Sequence, residues 1–135
     1  MSPELEEKLY KDFPRLFQGR KNMPLEIAIH DGWFSIIYEL SKKLEDIYNK
    51  FPENKRKAFE SENSEQKFIF LQIKEKFGGL RAYFGTLDDE VDAAIAEAET
   101  KSFKTCEMCG QPGKAESVYG WSKTLCKAHT VDSRS

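Results

Sequence analysis

Three cysteines and one histidine constrain this chain more than any other feature in it. Cys106-Glu107-Met108-Cys109-Gly110 is a C-x2-C step closed by glycine, and Cys126-Lys127-Ala128-His129 is a C-x2-H step. Each short-spaced pair sits on a tight turn that aims both side chains one way, so two pairs can wrap a tetrahedral ion. Gly110 suits such a knuckle, where the backbone often needs a positive φ. Residues 110–125 leave room for a hairpin between the pairs. Ser117-Val118-Tyr119 and Ser122-Lys123-Thr124-Leu125 read as its strands, with Gly120-Trp121 at the bend and a short helix starting from Cys126. Knuckle, hairpin and helix together predict a treble-clef or zinc-ribbon-like unit over residues 103–135. Three thiolates and an imidazole favour Zn²⁺ over Mg²⁺ or Ca²⁺. Four protein ligands make a closed, structural site. An iron–sulfur cluster is disfavoured by the histidine. All three cysteines are used, so no thiol remains as a nucleophile, and an odd count does not build a disulfide scaffold.

Residues 1–102 predict an ordinary α+β domain, a β-hairpin or small antiparallel sheet packed by helices. With 135 residues the chain has enough length to bury a core. Its 13% aromatic content argues against disorder. Lys and Arg number 21 against 23 Asp and Glu, a net charge of −2, which disfavours a strongly basic nucleic-acid domain but leaves room for a local patch. No apolar run approaches the ~20 residues of a membrane span. The acidic start, Met1 to Glu7, is unlike a signal peptide. A cytoplasmic protein with no membrane partner is the expectation.

Ser2 and Pro3 read as N-cap and first position of a helix over 3–12, which Pro14 ends. Phe13, Leu16 and Phe17 then dock on the core. Leu25, Ile27 and Ile29 alternate with polar neighbours as a short strand. Trp33, Ile36, Ile37, Leu40, Leu44, Ile47, Tyr48 and Phe51 recur at helical steps, which predicts a helix over about 32–50 capped by Asp31. Residues 52–66 are polar without a clear period and read as a mobile loop carrying the basic run Lys55-Arg56-Lys57. Thr86-Leu87-Asp88-Asp89 reads as a capping box for a helix to about residue 101. Its buried stripe is Leu87, Val91, Ala94, Ile95 and Ala98.

Residues 67–85 read as a hairpin turning at Gly78-Gly79, whose positive φ angles suit a type I′ turn. That loop sets Phe77 opposite Leu80, Lys76 opposite Arg81 and Lys74 opposite Tyr83. One face then carries Ile69, Leu71, Ile73, Phe77, Leu80, Ala82 and Phe84. The other gathers Lys74, Lys76, Arg81 and Tyr83. Cations beside an aromatic suit phosphates, bases or an acidic partner; lysines also guard a solvated strand against edge pairing. Trp121 serves as a contact anchor if exposed, or packs over the ligands if buried.

Enzyme signatures are weak. His30 is the only histidine left for proton transfer, and beside a helix cap it reads as structural. Asp31 with Gln72-Ile73-Lys74 loosely matches the D…(E/Q)-x-K arrangement of metal-dependent nucleases, which need paired acidic groups around Mg²⁺. Asp88, Asp89 and Glu90 read as partners of a helix N-terminus.

Several stretches taken together resemble a known group. They are Asp31-Gly32-Trp33-Phe34 before an amphipathic helix, Lys74-Glu75-Lys76-Phe77-Gly78-Gly79-Leu80-Arg81, Thr105-Cys106-Glu107-Met108-Cys109-Gly110 and Leu125-Cys126-Lys127-Ala128-His129. In this order, over about residues 27–130, they resemble a group of small bacteriophage, prophage and bacterial proteins. The resemblance implies a phage or mobile-element setting in a bacterial cytoplasm. It suggests an accessory protein that binds a host or phage macromolecule, such as a host defence factor. Nucleic acid or a small nucleotide is the alternative ligand.

Overall fold

The computed structural model describes residues 1–20, 22–118 and 120–134. In chain order it contains α1 (Pro3–Asp12), β1 (Glu26–Ala28), a 3-10 turn (Asp31–Trp33), α2 (Phe34–Lys50), α3 (Glu53–Glu60), β2 (Phe70–Lys76) and β3 (Gly79–Phe84). These are followed by α4 (Asp89–Ser102), β4 (Lys114–Val118), β5 (Trp121–Leu125) and α5 (Lys127–Arg134). The α+β class is as expected. β1, β2 and β3 form one sheet in that order, β1 running parallel to β2 and β3 antiparallel to it. β4 and β5 form a separate antiparallel pair.

α1 begins as its sequence dictates, with the Ser2 hydroxyl accepting from the Leu5 amide and Pro3 at the first position. Behind it Phe13, Leu16 and Phe17 are buried. The apolar stripe of α2 is buried through Ile36, Ile37, Leu40, Leu44, Ile47 and Tyr48. Together with α4, the inner sheet face and the 13–17 knot it makes one core. Its entry differs from expectation. Asp31 does not cap α2; its carboxylate accepts from the Ser2 amide at 2.7 Å. A 3-10 turn leads in instead and buries Trp33 completely.

Residues 52–66 are not a structureless loop. Residues 53–60 form α3, and Phe59 packs against Phe68, Phe51 and Tyr48 at ring separations of 5.6, 5.9 and 6.4 Å. One aromatic anchor is too little to register as a period. The basic run stays local: Lys55 lies 4.3 Å over the Phe51 ring, Arg56 donates to the Asn49 carbonyl and Lys57 pairs with Glu53.

α4 starts two residues later than the Thr86 reading placed it. Asp88 is the cap, accepting from the amides of Glu90 and Val91, while the Thr86 hydroxyl donates to Gln66. Leu87 therefore precedes the helix and is 84% exposed, not part of the buried stripe.

The β2–β3 hairpin turns one residue earlier than predicted, which shifts each pairing by two residues and keeps the faces. Lys76 pairs with Gly79, Glu75 with Leu80, Lys74 with Arg81 and Ile73 with Ala82. The turn is therefore Phe77-Gly78, with φ of +55° and +83°. Gly79 lies in the strand, where its missing side chain makes room for the Phe103 ring that a Cβ would meet at 2.3 Å. A bulge between Phe70 and Gln72 then turns Phe70 into the core and leaves Leu71 half-buried. Ile73, Leu80 and Ala82 face inward as predicted; Phe77 does not, being 71% exposed.

Candidate metal centre and the surface beside it

The C-terminal unit is built on the expected knuckle, hairpin and helix. The Gly110 amide donates to the Cys106 carbonyl at 2.9 Å, and Gly110 has φ of +82°, closing the knuckle. β4 and β5 pair from Lys114–Leu125 to Val118–Trp121. Trp121 is therefore the first residue of β5, not part of the bend, and Tyr119 lies outside the described residues. Cys126 immediately precedes α5, and one helical turn brings His129 back to it.

This chain path gathers Cys106, Cys109, Cys126 and His129, whose ligand atoms all lie within 4.8 Å of one another. Cys109 Sγ is 3.7 Å from Cys126 Sγ, and His129 Nδ1 is 3.6 Å from Cys106 Sγ and 3.0 Å from Cys126 Sγ. A tetrahedral ion with metal–sulfur bonds of ~2.3 Å holds its thiolates about 3.8 Å apart, so the cluster can hold a metal ion. Cys106 is fully buried, Cys126 and His129 half-buried, and Cys109 exposed. At Cys126 the backbone N–H of His129, then its ring, stabilises the sulfur anion and lowers the thiol pKa to about 6. This is the effect of a helix start on a thiolate. Cys109 is pushed up: the Gln111 amide pulls its thiol down, but desolvation and the neighbouring Cys126 and Cys106 outweigh it.

Glu107, which sequence reasoning passed over, ties this unit to the rest of the fold. It is 2% exposed. Its carboxylate accepts from the Thr124 amide at 3.2 Å and lies 3.5 Å from Lys123 Nζ. Its carbonyl accepts from the Gly32 amide at 3.0 Å. The Trp33 indole donates to the Thr105 carbonyl at 2.9 Å, and the Thr124 hydroxyl to the Gly78 carbonyl at 2.7 Å. The hairpin octapeptide thus has a structural use: Glu75 accepts from the Gly78 amide, Gly78 meets β5, and Leu80 N–H donates to the Ser102 hydroxyl. Apart from the local Glu75–Gly78 contact, these partners lie 16 to 75 residues apart in the chain, where no local pattern could reveal them.

The predicted surface residues divide. Lys74, Lys76 and Tyr83 lie on the outer sheet face, with Lys74 Nζ 5.6 Å from the Tyr83 ring centre and Lys76 Nζ 5.6 Å from that of Phe77. Arg81 shares the face, but its guanidinium lies 3.8 Å from Glu99, which also accepts from the Ala82 amide at the sheet edge. Trp121 is 73% exposed and so does not pack over the ligands.

The nuclease-like residues make no second centre. Asp31 is bonded to Ser2, and Gln72 and Lys74 lie on the outer face. Among the described residues the cysteine–histidine cluster is the one group of three or more His, Cys, Asp or Glu placed to share an ion. His30 lines a cavity of about 290 Å³ together with Glu75, Glu107 and Lys123. A larger cavity of about 590 Å³ lies between the 15–20 segment and residues 59–69. Its Arg15, Arg20 and Lys67 are balanced by Glu60, Glu62 and Glu65, so its charge selects no ligand. Among the described residues no helix is long and apolar enough to cross a membrane. Comparison with family models, with curated proteins and with solved structures yields no match to this chain.

Proposed function

We propose that this chain is a non-catalytic binding protein whose C-terminal unit is held by a structural Zn²⁺, with a treble-clef or zinc-ribbon-like arrangement. The convergence of Cys106, Cys109, Cys126 and His129 within 4.8 Å carries this reading. Three thiolates and an imidazole suit zinc, and four protein donors leave no open coordination position for substrate. The ion supplies folding free energy to a stretch too short to build its own core.

The partner is a macromolecule. The unassigned side chains stand on an open sheet face and a strand end, where a large ligand can reach all of them at once. The resemblance of the hairpin octapeptide and the cysteine pairs to phage and prophage proteins supports an accessory role in a bacterial cytoplasm, with antagonism of host defence as the task. Metal analysis of the purified chain tests the first part: about one zinc per chain, lost on Cys109→Ser, is expected, and a chain without zinc sinks it. Affinity purification from a bacterial host tests the second. A partner lost on substitution of the outer face supports it, and an empty capture in every growth condition refutes it.

A further inference from the structure

The outer face of the β1–β2–β3 sheet combines strain, exposure and charge in a way its own folding does not require. Phe77 is the only non-glycine among the described residues with positive φ, at +55°. A bulky side chain in that region is strained, and a turn of this type is better served by Asn or Gly. Its ring is 71% exposed, so core burial does not offset the strain. Trp121, 73% exposed, is the other highly exposed aromatic among the described residues. Each is the chain neighbour of a residue at one backbone junction. Gly78, next to Phe77, lies so close to β5 that a Cβ on it would be 3.2 Å from Ser122, next to Trp121.

Behind this tip the register orders the face. Glu26, Gln72 and Tyr83 form one row, Ala28, Lys74 and Arg81 the next, and Lys76 stands beyond them. Lys74 and Lys76 each lie 5.6 Å from an aromatic centroid, Tyr83 and Phe77 respectively. Glu26 is the only acid in these rows, although the whole chain carries a net charge of −2. From the Gln72 row to Phe77 is about 17 Å of strand.

We propose that this strip binds single-stranded nucleic acid, a conclusion that rests on the reading of the chain as a macromolecule-binding protein. Rings alternating with lysines match bases alternating with phosphates. The face is a sheet, which stacks unpaired bases, whereas a duplex is read by an element inserted into its groove. An acidic protein would satisfy the lysines, but a single strand offers the exposed rings a stacking plane at every base. The zinc unit acts on the strip by position: the Thr124–Gly78 hydrogen bond docks β5, which starts at Trp121, on the hairpin tip that carries Phe77, so metal removal should loosen this docking and weaken binding.

The test uses the zinc-loaded full chain and labelled 12-nucleotide single strands of mixed sequence, DNA and RNA, with the matching duplex as competitor. Trp33 is fully buried, so quenching of the exposed indole reports binding at Trp121. Single strands should bind more tightly than duplex, with affinity falling with salt at a log–log slope of about −0.7 per contacted phosphate. Lys74→Ala and Lys76→Ala should each flatten that slope by about 0.7. Trp121→Ala and Phe77→Asn should each weaken binding about tenfold, the scale of one lost base stack. Chelation should weaken it similarly, and Lys57→Ala on α3 should leave it unchanged. Circular dichroism of each variant establishes that it is folded. Absence of single-strand binding at low salt, or binding indifferent to these four substitutions, overturns the proposal. If the same substitutions instead abolish capture of a protein from a bacterial lysate, the nucleic-acid proposal falls and the wider binding-protein reading stands. Failure of both assays overturns both.

Discussion

Glu107 stands between two cysteine ligands, yet its carboxylate bonds the Thr124 amide and its carbonyl bonds the Gly32 amide. Glu107→Ala leaves the buried Thr124 N–H without that acceptor and should cost about 1–3 kcal/mol in urea denaturation, while metal analysis still finds the site loaded. Gly32→Ala should cost more, above about 3 kcal/mol, because its Cβ would lie 2.1 Å from the Cys106 carbonyl oxygen and neither backbone can give way. At Cys126 the consequence is pH dependence. Its folded thiol titrates at about 6, below its ordinary value of 9.0. A depressed acid stabilises the fold fully above the unfolded value, and that contribution disappears as pH falls through the folded one. At pH 7 Cys126 is then mostly thiolate and gives up little of a proton to a metal. Below pH 6 it is mostly protonated and must release that proton, so calorimetry in buffers of different ionisation enthalpy should find more protons released per metal bound than at pH 7.

Among the elements, the β2–β3 hairpin shows how a sound local pattern can still misplace a turn. Two glycines suit a two-residue loop, but the molecule uses Phe77-Gly78 and assigns Gly79 to the strand. Register in such a hairpin follows whichever pairing both the turn and the packed face accept, and here the Phe103 ring packs where Gly79 has no side chain. The strained turn makes an opposed prediction. Phe77→Asn should raise the melting temperature, since Asn-Gly is the preferred sequence for this turn, by the few degrees that ~1 kcal/mol represents in a domain of this size. The same variant should bind its ligand less well. An unchanged or lower melting temperature would show that Phe77 is not strained in its native setting.

On the scale of the whole molecule, burial falls into two clusters. One unites α1, α2, α4 and the sheet; the other is Cys106 and Leu125 with Cys126 packed against them. The second is small, and a metal held by the cysteine–histidine cluster would supply the folding free energy it lacks. Chelation should therefore abolish amide protection over residues 103–134 and loosen the hairpin tip that Thr124 holds, while α2 and α4 keep theirs. Hydrogen exchange read by mass spectrometry checks this directly. Uniform protection with and without chelator would mean that the metal does not support the unit.

The chain itself determines what depends on spacing and period. The ligand set is legible because C-x2-C and C-x2-H fix side chains over a single turn, and α2 because its apolar stripe repeats over 17 residues. The buried Ile73, Leu80 and Ala82 face of the hairpin follows from alternation alone. Tertiary structure decided the rest. α3 forms where the sequence looks unpatterned because Phe59 finds Phe51 and Phe68. Asp88 caps α4 while Thr86 is taken by Gln66, and Arg81 is drawn to Glu99. The segments carrying Phe77 and Trp121 meet only because a hairpin tip docks on a strand over 40 residues away. Spacing and periodicity act through neighbouring bonds and so are written locally; docking is set by which distant surfaces fit, and only the folded chain brings those together.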